Sequence, residues 1–256
     1  FSLLTLQKLA HKKYKFSASK TKNLAQELYD LQFTSYPRTD CEFLPNEQEK
    51  DAERIIDNLK NHPVLSKITN QIGSELNFRN TVFNSEKITA HHAIVPTVKT
   101  VNLDALSSDQ RKIYDLIAER YLLSFLENYE FDLTTVKLTV DDFVFSGKGS
   151  VTVSPGWKLL FNDDEDDKKE EDQKFPGLSD GETGTVESID ILSKVTKPRP
   201  SYTEATILDD MKSILNFTDD PEIIKLIKLR IKNKENAGIG APATRDSYID
   251  TSLNRK

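Results

Sequence analysis

The spacing of apolar residues changes twice along this chain, and these changes limit the folds that it can adopt. From Phe1 to about Glu127 apolar residues recur at steps of three and four, which predicts amphipathic helices. From Glu130 the stretches FDLTTVKLTV and GSVTVS alternate apolar with polar residues, which predicts strands up to about Val195. A proline-rich joint, TKPRPSYTEAT, then leads into a helical pattern that reaches Ile214. The sequence therefore predicts an α+β protein of more than one domain.

Three helices of the first zone can be placed from their apolar faces. We predict that one is capped by Ser19 or Thr21, because a side-chain hydroxyl can accept a hydrogen bond from a free N–H group in the first turn. Another begins around Pro45, which suits a first turn, and a third begins at Ser108. The predicted buried faces are Leu24, Ala25 and Leu28 in the first helix, Ala52, Ile55, Ile56 and Leu59 in the second, and Ile113, Leu116, Ile117 and Tyr121 in the third.

Composition narrows the class of protein. The 256-residue chain has 37% hydrophobic and 30% charged residues and no apolar run long enough to cross a bilayer, which predicts a soluble globular protein without a membrane partner. Its one cysteine, Cys41, excludes an internal disulfide and a zinc site built from several cysteines. The chain starts at Phe1, directly inside a helical pattern, so we expect a piece of a longer protein.

The net charge of −6 comes from one short segment. The run NDDEDDKKEED, from Asn162 to Asp172, holds eight of the 41 acidic residues and two of the 35 basic ones, so the rest of the chain is neutral. A solvated loop between strands is the expected role of this run, with a cation site as the alternative. Because the negative charge is local, binding of a polyanion elsewhere on the chain is allowed.

The stretch SYPRTD places a tyrosine and an arginine on either side of a proline. Proline disfavours the helical region for the residue before it, so Tyr36 is predicted to be extended. Side chains two apart in an extended segment point to the same side, which brings the Tyr36 hydroxyl and the Arg38 guanidinium together. A free phenol ionises near pH ~10, and a fixed cation favours the phenolate. The triplet suits a tyrosine that attacks a phosphodiester; a structural tyrosine packed over a turn is the alternative.

Two adjacent histidines, His91 and His92, stand before the apolar run AIVPT. A metal-binding pair on one face would need a spacing of about three or four residues in a helix or two in a strand, so these histidines do not predict a metal site. One of them can face an anion, either donating a hydrogen bond to a phosphate or shuttling a proton. The alternative is one packed and one exposed histidine without a chemical role.

Three stretches taken together resemble a known family. LYDLQFTSYPRTDCEFLP, AHHAIVPT and YTEATILDDM followed by GIGAPATRDSYID, in this order and at this spacing, closely resemble a type IA DNA topoisomerase, nearest to bacterial or plasmid-type topoisomerase III. The resemblance covers essentially the whole chain. It implies an ATP-independent isomerase of the bacterial cytoplasm, associated with the nucleoid, that cleaves and reseals one DNA strand so that another can pass.

The resemblance also implies roles for single residues. Tyr36 is expected to be the nucleophile that becomes linked to a 5′ phosphate, and Arg38 is expected to grip the scissile phosphate. His91 matches the active-site histidine of the family, whereas His92 receives no role.

The motif GIGAPATR resembles a family loop that contacts single-stranded DNA. By that match Ala243, Thr244 and Arg245 are the expected DNA-binding residues. The glycines Gly238 and Gly240 permit a close approach of the main chain. The expected partner is therefore DNA, mainly its single-stranded segments.

The resemblance assigns three domains to the chain. Residues 1–127 are expected to form a mostly helical domain that carries the tyrosine, 128–196 a β-rich arch, and 197–256 the start of a domain that lines a single-strand groove. The family's metal-binding Toprim domain is expected to precede this chain as a missing N-terminal partner. The full-length enzyme is therefore expected to need Mg²⁺, this chain to bind no metal, and the fragment alone to be inactive.

The sequence leaves two other functions open. A type IB topoisomerase or a tyrosine recombinase also uses a tyrosine, but with more basic residues and with the tyrosine near the end of the catalytic domain. From a different class, the chain could be a non-catalytic DNA clamp or an interaction scaffold that keeps the arch fold.

Overall fold

The computed structural model describes residues 1–161, 175, 177–198, 200–233 and 237–255, so the acidic run 162–172 lies outside the described residues. Over this part of the chain there are eight α-helices and one two-stranded sheet, which confirms the α+β class. Within the same residues, no helix is both long and apolar enough to span a bilayer. The elements are α1 (Leu3–Tyr14), α2 (Ala18–Asp30), α3 (Glu49–Leu59), α4 (Ser66–Thr69), α5 (Ser108–Leu123), β1 (Glu130–Val140), β2 (Phe143–Ser154), α6 (Glu204–Lys212), α7 (Pro221–Lys232) and α8 (Arg245–Asn254).

Contacts divide the chain into two compact units. The helical unit consists of residues 1–125 and 201–256, and the hairpin unit consists of residues 126–200. The last three helices thus belong to the same unit as the tyrosine. The division into domains at 1–127, 128–196 and 197–256 stays a prediction.

The core of the helical unit forms where the apolar spacing predicts it. In α3 and α5 every residue of the predicted faces is buried, and α5 packs against α1, α2 and α4. The long α5 begins with a capping box in which the Ser107 hydroxyl and the Gln110 side chain each bond the other's main-chain N–H. Helix α1 also contacts the stretch that follows Tyr36, since Leu3 N donates to the Thr39 carbonyl at 2.8 Å.

The start of α2 differs from the sequence prediction. Its N-cap is Ser17, whose hydroxyl accepts from Lys20 N at 3.1 Å, rather than Ser19 or Thr21. Thr21 instead turns its hydroxyl back to the Ser17 carbonyl at 3.0 Å. A second acceptor comes from far along the chain, because Glu204 Oε2 accepts from Ala18 N at 2.7 Å. The predicted apolar face of α2 is nevertheless buried.

The C-terminal helices join the helical unit through a small apolar cluster. Leu208 and Met211 of α6 pack with Leu4 of α1, Ala18 of α2 and Ile249 of α8. Through this cluster α6 and α8 pack against α1 and α2. The chain after residue 201 therefore contacts α2, the helix that precedes Tyr36.

The hairpin unit contains a single antiparallel pair. β1 and β2 pair from Glu130 opposite Ser154 to Val140 opposite Phe143, which confirms the strand prediction for this part. The prediction of strands up to Val195 is wrong for residues 177–195, which form neither helix nor strand. Their alternating side chains meet no packing surface, since Ile191 is 95% exposed, and local alternation cannot supply the neighbouring strand that a sheet needs.

Candidate active site

The tyrosine segment, residues 33–44, follows α2 and lies along residues 91–97. Ser35 N donates to the Val95 carbonyl at 2.9 Å, and Thr97 N donates to the Phe33 carbonyl at 3.0 Å. Thr34 and Pro96 form an antiparallel bridge between these two bonds. The main chain therefore holds the two segments in a fixed register on either side of Thr34.

Two hydroxyl side chains complete this connection. Ser35 Oγ donates to the Ala93 carbonyl at 2.9 Å and accepts from Val95 N at 3.0 Å. Thr39 Oγ1 donates to the His91 carbonyl at 3.1 Å and is itself buried. The backbone of His91 is thus fixed relative to the segment that carries the tyrosine, although the two are far apart in sequence.

The Tyr36 ring lies in contact with two other rings. The His91 imidazole centroid is 4.6 Å from the Tyr36 centroid at an interplanar angle of 49°. On α2, Tyr29 meets Tyr36 edge to face, with centroids 5.4 Å apart. Such aromatic pairs favour offset and edge-to-face geometry, so the position of the phenol is restricted by both neighbours.

Burial alternates along the segment that follows Tyr36. Pro37, Thr39 and Cys41 are buried, whereas Arg38 and Asp40 are exposed and Tyr36 is half-buried. This period of two is that of an extended backbone, as the proline predicts. The proline ring faces the protein, so Tyr36 and Arg38 are left on the solvent side. Among the described residues, Arg38 has no hydrogen bond or ion pair, so its guanidinium can take an anion.

The two adjacent histidines have different environments. His92 is held by its neighbours: its Nδ1 lies 2.8 Å from the Ala93 carbonyl and its Nε2 lies 3.0 Å from the Gln48 amide nitrogen. A proton on Nδ1 that is donated to the carbonyl leaves Nε2 to accept from Gln48. His91 is exposed, and its ring contacts Tyr36. The structure thus brings together Tyr36 and the histidine predicted from sequence.

The glycine loop, residues 238–244, leads into α8. Its start approaches α6 closely, since Ile239 N donates to the Met211 carbonyl at 2.7 Å. Gly240 has a φ of +66°, a conformation that favours glycine. At the end of the loop, the exposed Thr244 donates its hydroxyl to the Ala241 carbonyl at 3.1 Å.

Arg245 lies on the wall of a cleft rather than on the open surface. Its side chain is buried, and its Nε donates to the Ile239 carbonyl at 3.0 Å. Burial lowers the pKa of the guanidinium, and the negative charge of Asp40 acts in the opposite direction. The cleft has a volume of about 900 Å³ and is also lined by Asp40, Lys87 and Lys212. The cleft is therefore lined both by the glycine loop and by Asp40, which is four positions after Tyr36.

We predict that Gly238→Ala displaces this loop. A Cβ at residue 238 would lie 2.4 Å from the Met211 carbonyl oxygen, so main chain must move. Overpacking of this kind lowers the free energy of unfolding by about 1–3 kcal/mol. Urea unfolding measures the change, and Gly184→Ala is the matched control because an added Cβ there meets no atom within 4 Å. Equal stability of the two variants would contradict the prediction.

The described residues bring no three histidine, cysteine, aspartate or glutamate side chains together as a metal site would require. The exposed Asp40 is the acidic side chain within the segment 36–41, and one carboxylate does not make a Mg²⁺ site.

Several residues of this region were not predicted from sequence. Tyr29 stands within the stretch that carries the family resemblance, and its spacing from Tyr36 gave no sign of contact. Lys22 and Asp246 form an ion pair between α2 and α8. No sequence signal identifies this pair, since six lysines lie in the first 30 residues and the partners are more than 200 positions apart.

Comparison with known proteins identifies the family of the chain. The family model described as DNA topoisomerase matches residues 1–256, so the chain belongs to the DNA topoisomerase family, and the resemblance inferred from its motifs is confirmed. It is 33% identical over 256 residues to DNA topoisomerase 3 of Vibrio cholerae, covering 100% of this chain and 38% of that protein. It is 32% identical to DNA topoisomerase 3 of Bacillus licheniformis, covering 99% of this chain and 35% of that protein.

A solved structure is also similar. Full-length topoisomerase I from Thermotoga maritima matches the whole chain with a TM-score of 0.56 and 25% sequence identity, and 37% of that protein is covered. The chain thus spans little more than a third of the length of the relatives that it matches.

Proposed function

We propose that this chain carries the strand-cleaving tyrosine of a type IA DNA topoisomerase, and that it works as part of a longer protein, here called the parent protein. The observation that carries the proposal is the contact between Tyr36 and His91, whose ring centroids are 4.6 Å apart although 54 residues separate them in the chain. The main-chain register around Thr34 and the hydrogen bond from Thr39 Oγ1 to the His91 carbonyl keep this contact in place.

The proposed reaction is a transfer of one phosphodiester bond. The Tyr36 oxygen attacks a phosphorus atom of one DNA strand, and a bond from that oxygen to phosphorus forms. The bond from phosphorus to the 3′ oxygen breaks, the 3′ oxygen takes up a proton, and the phenol loses one. The strand now ends in a free 3′ hydroxyl on one side and is linked to the protein through its 5′ phosphate on the other. The reverse reaction reseals the strand without ATP, because the phosphotyrosine ester conserves the bond.

The neighbouring residues have distinct proposed roles. The exposed Arg38 donates to oxygens of the scissile phosphate, which neutralises charge and places phosphorus in front of the phenol. His91 lies against the Tyr36 ring and donates a hydrogen bond to the same phosphate or moves the proton. Ala243 and Thr244 contact the backbone of the single strand from the glycine loop, and Arg245 does so from the wall of the cleft.

Mg²⁺ is proposed as the cofactor of the parent protein. The family resemblance assigns its site to a domain of the parent protein outside this chain, and none of the proposed steps uses the ion. For the same reason, the isolated chain is expected to leave supercoiled DNA unchanged.

The test is to trap and map the covalent link in the parent protein. Wild-type protein is mixed with Mg²⁺ and single-stranded DNA labelled on the 3′ side of the cut, then denatured and digested with a protease. We expect the label on the peptide that contains Tyr36. Label on another peptide, or label retained only with DNA marked on the 5′ side, would contradict the mechanism. DNA binding without any labelled protein would favour the non-catalytic clamp.

A further inference from the structure

The first turn of α8 carries a buried carboxylate with a partner on α2. Asp246 is 1% exposed, and its Oδ2 forms an ion pair with the Lys22 ammonium. Ser19 Oγ lies 3.0 Å from the same oxygen. Asp246 comes two positions after Thr244, so this pair ties the end of the glycine loop to the helix before the tyrosine.

Lys22 is the partner that balances the charge of Asp246. Ser19 Oγ also lies 2.5 Å from Asp250 Oδ2. Because a hydroxyl has one proton to donate, Ser19 donates to only one of the two carboxylates at a time. The Lys22 ammonium also donates to the Ala243 carbonyl at 3.4 Å. One lysine therefore contacts both α8 and the loop main chain.

The same face of α2 reaches Tyr36. Lys22 and Tyr29 are seven residues apart, which in a helix is about two turns, or ~10 Å along one face. Tyr29 meets the Tyr36 ring edge to face at 5.4 Å. A rigid helix thus holds the loop anchor at one end of this face and the contact with the tyrosine at the other.

We propose that Lys22 and Asp246 are positioning residues that fix the glycine loop relative to Tyr36, an inference that rests on the proposed function. In that function the loop holds the single strand and Tyr36 attacks it, so the distance between them decides whether phosphorus meets the phenol. In this role Lys22 and Asp246 bond each other and the loop main chain and need no contact with the strand. The pair acts through α2, and its loss leaves the loop able to bind DNA in a position that is wrong for attack.

If the pair positions the loop, its loss should lower the rate of covalent-complex formation without lowering the affinity for single-stranded DNA. Small misplacements of reacting groups cost up to about 100-fold in rate. We therefore expect Lys22→Met in the parent protein to form the covalent complex ~10- to 100-fold more slowly at saturating single-stranded DNA. The dissociation constant for the same DNA should stay within about threefold of wild type, because the loop and the cleft keep their own residues.

Three further variants separate positioning from folding. Lys22→Arg keeps the charge and should restore most of the rate. Lys22→Met combined with Asp246→Asn removes both charges of the pair, so neither partner is left as an unpaired buried charge and the fold should be kept, while the rate of covalent-complex formation should stay low. Lys20→Met is the matched control on the same helix, because its exposed pair with Asp109 does not reach the loop, and it should cleave at the wild-type rate.

These measurements distinguish a failure of the positioning role from a failure of the proposed function. If wild-type protein forms no covalent complex, the proposed function fails. If wild type cleaves and the folded double variant, judged by its thermal unfolding, cleaves at the same rate, the positioning role is overturned. A loss of DNA affinity in proportion to the loss of rate would also overturn it, because the pair would then serve binding rather than alignment.

Discussion

Replacing Tyr36 with phenylalanine in the parent protein is expected to abolish strand cleavage and to leave DNA binding intact. The variant keeps the ring, and with it the contacts to Tyr29 and His91 at 5.4 and 4.6 Å, but it lacks the oxygen that would bond to phosphorus. Removal of a nucleophile lowers enzymatic rates by about 10⁴-fold or more, so relaxation of supercoiled DNA should fall below detection. The measurement is the initial rate of relaxation together with a filter-binding titration of single-stranded DNA.

Tyr202→Phe is the control for this variant. Tyr202 is 60% exposed and lies outside the tyrosine segment, so loss of its hydroxyl should change neither rate nor affinity. If Tyr36→Phe relaxes DNA at the rate of Tyr202→Phe, Tyr36 is not the nucleophile. If Tyr36→Phe loses DNA binding as well, the phenol serves recognition, and the clamp becomes the better account of the protein.

Local patterns predicted the helical support of the site. Apolar residues at steps of three and four placed the buried faces of α3 and α5 correctly, because a helix at the surface of a core must bury one stripe. The proline in the tyrosine segment likewise predicted extended backbone, and the alternating burial after Tyr36 agrees with it. These features depend on residues close together in the chain, which is why the sequence alone sufficed.

Features that depend on distant residues were missed. Ser17, Ser19 and Thr21 are all able to cap α2, and the choice of Ser17 accompanies a hydrogen bond from Ala18 N to Glu204, which no local pattern reveals. Ser19 instead faces the carboxylates of α8. The contact of Tyr36 with His91 followed from the family resemblance and not from spacing, since neither periodicity nor charge links two segments so far apart.

Replacing His91 is expected to give the second large effect. His91→Ala removes the imidazole that contacts Tyr36, and general acid–base groups contribute about 10²- to 10⁴-fold, so the rate of covalent-complex formation should fall at least ~100-fold. His92→Ala is the matched control, because this neighbouring imidazole bonds Gln48 and the Ala93 carbonyl instead of facing Tyr36. Equal rates for the two variants would show that His91 has no part in cleavage.

His91→Gln then separates the two chemical roles left for this residue. Glutamine keeps an N–H donor but cannot take up and release a proton at neutral pH. If His91 donates a hydrogen bond to the phosphate, His91→Gln should recover much of the rate that His91→Ala loses. If His91 moves the proton, both variants should be equally slow. The position of the ring against the Tyr36 phenol, with its surface open to solvent, allows either partner to be reached, so the comparison of rates decides between them.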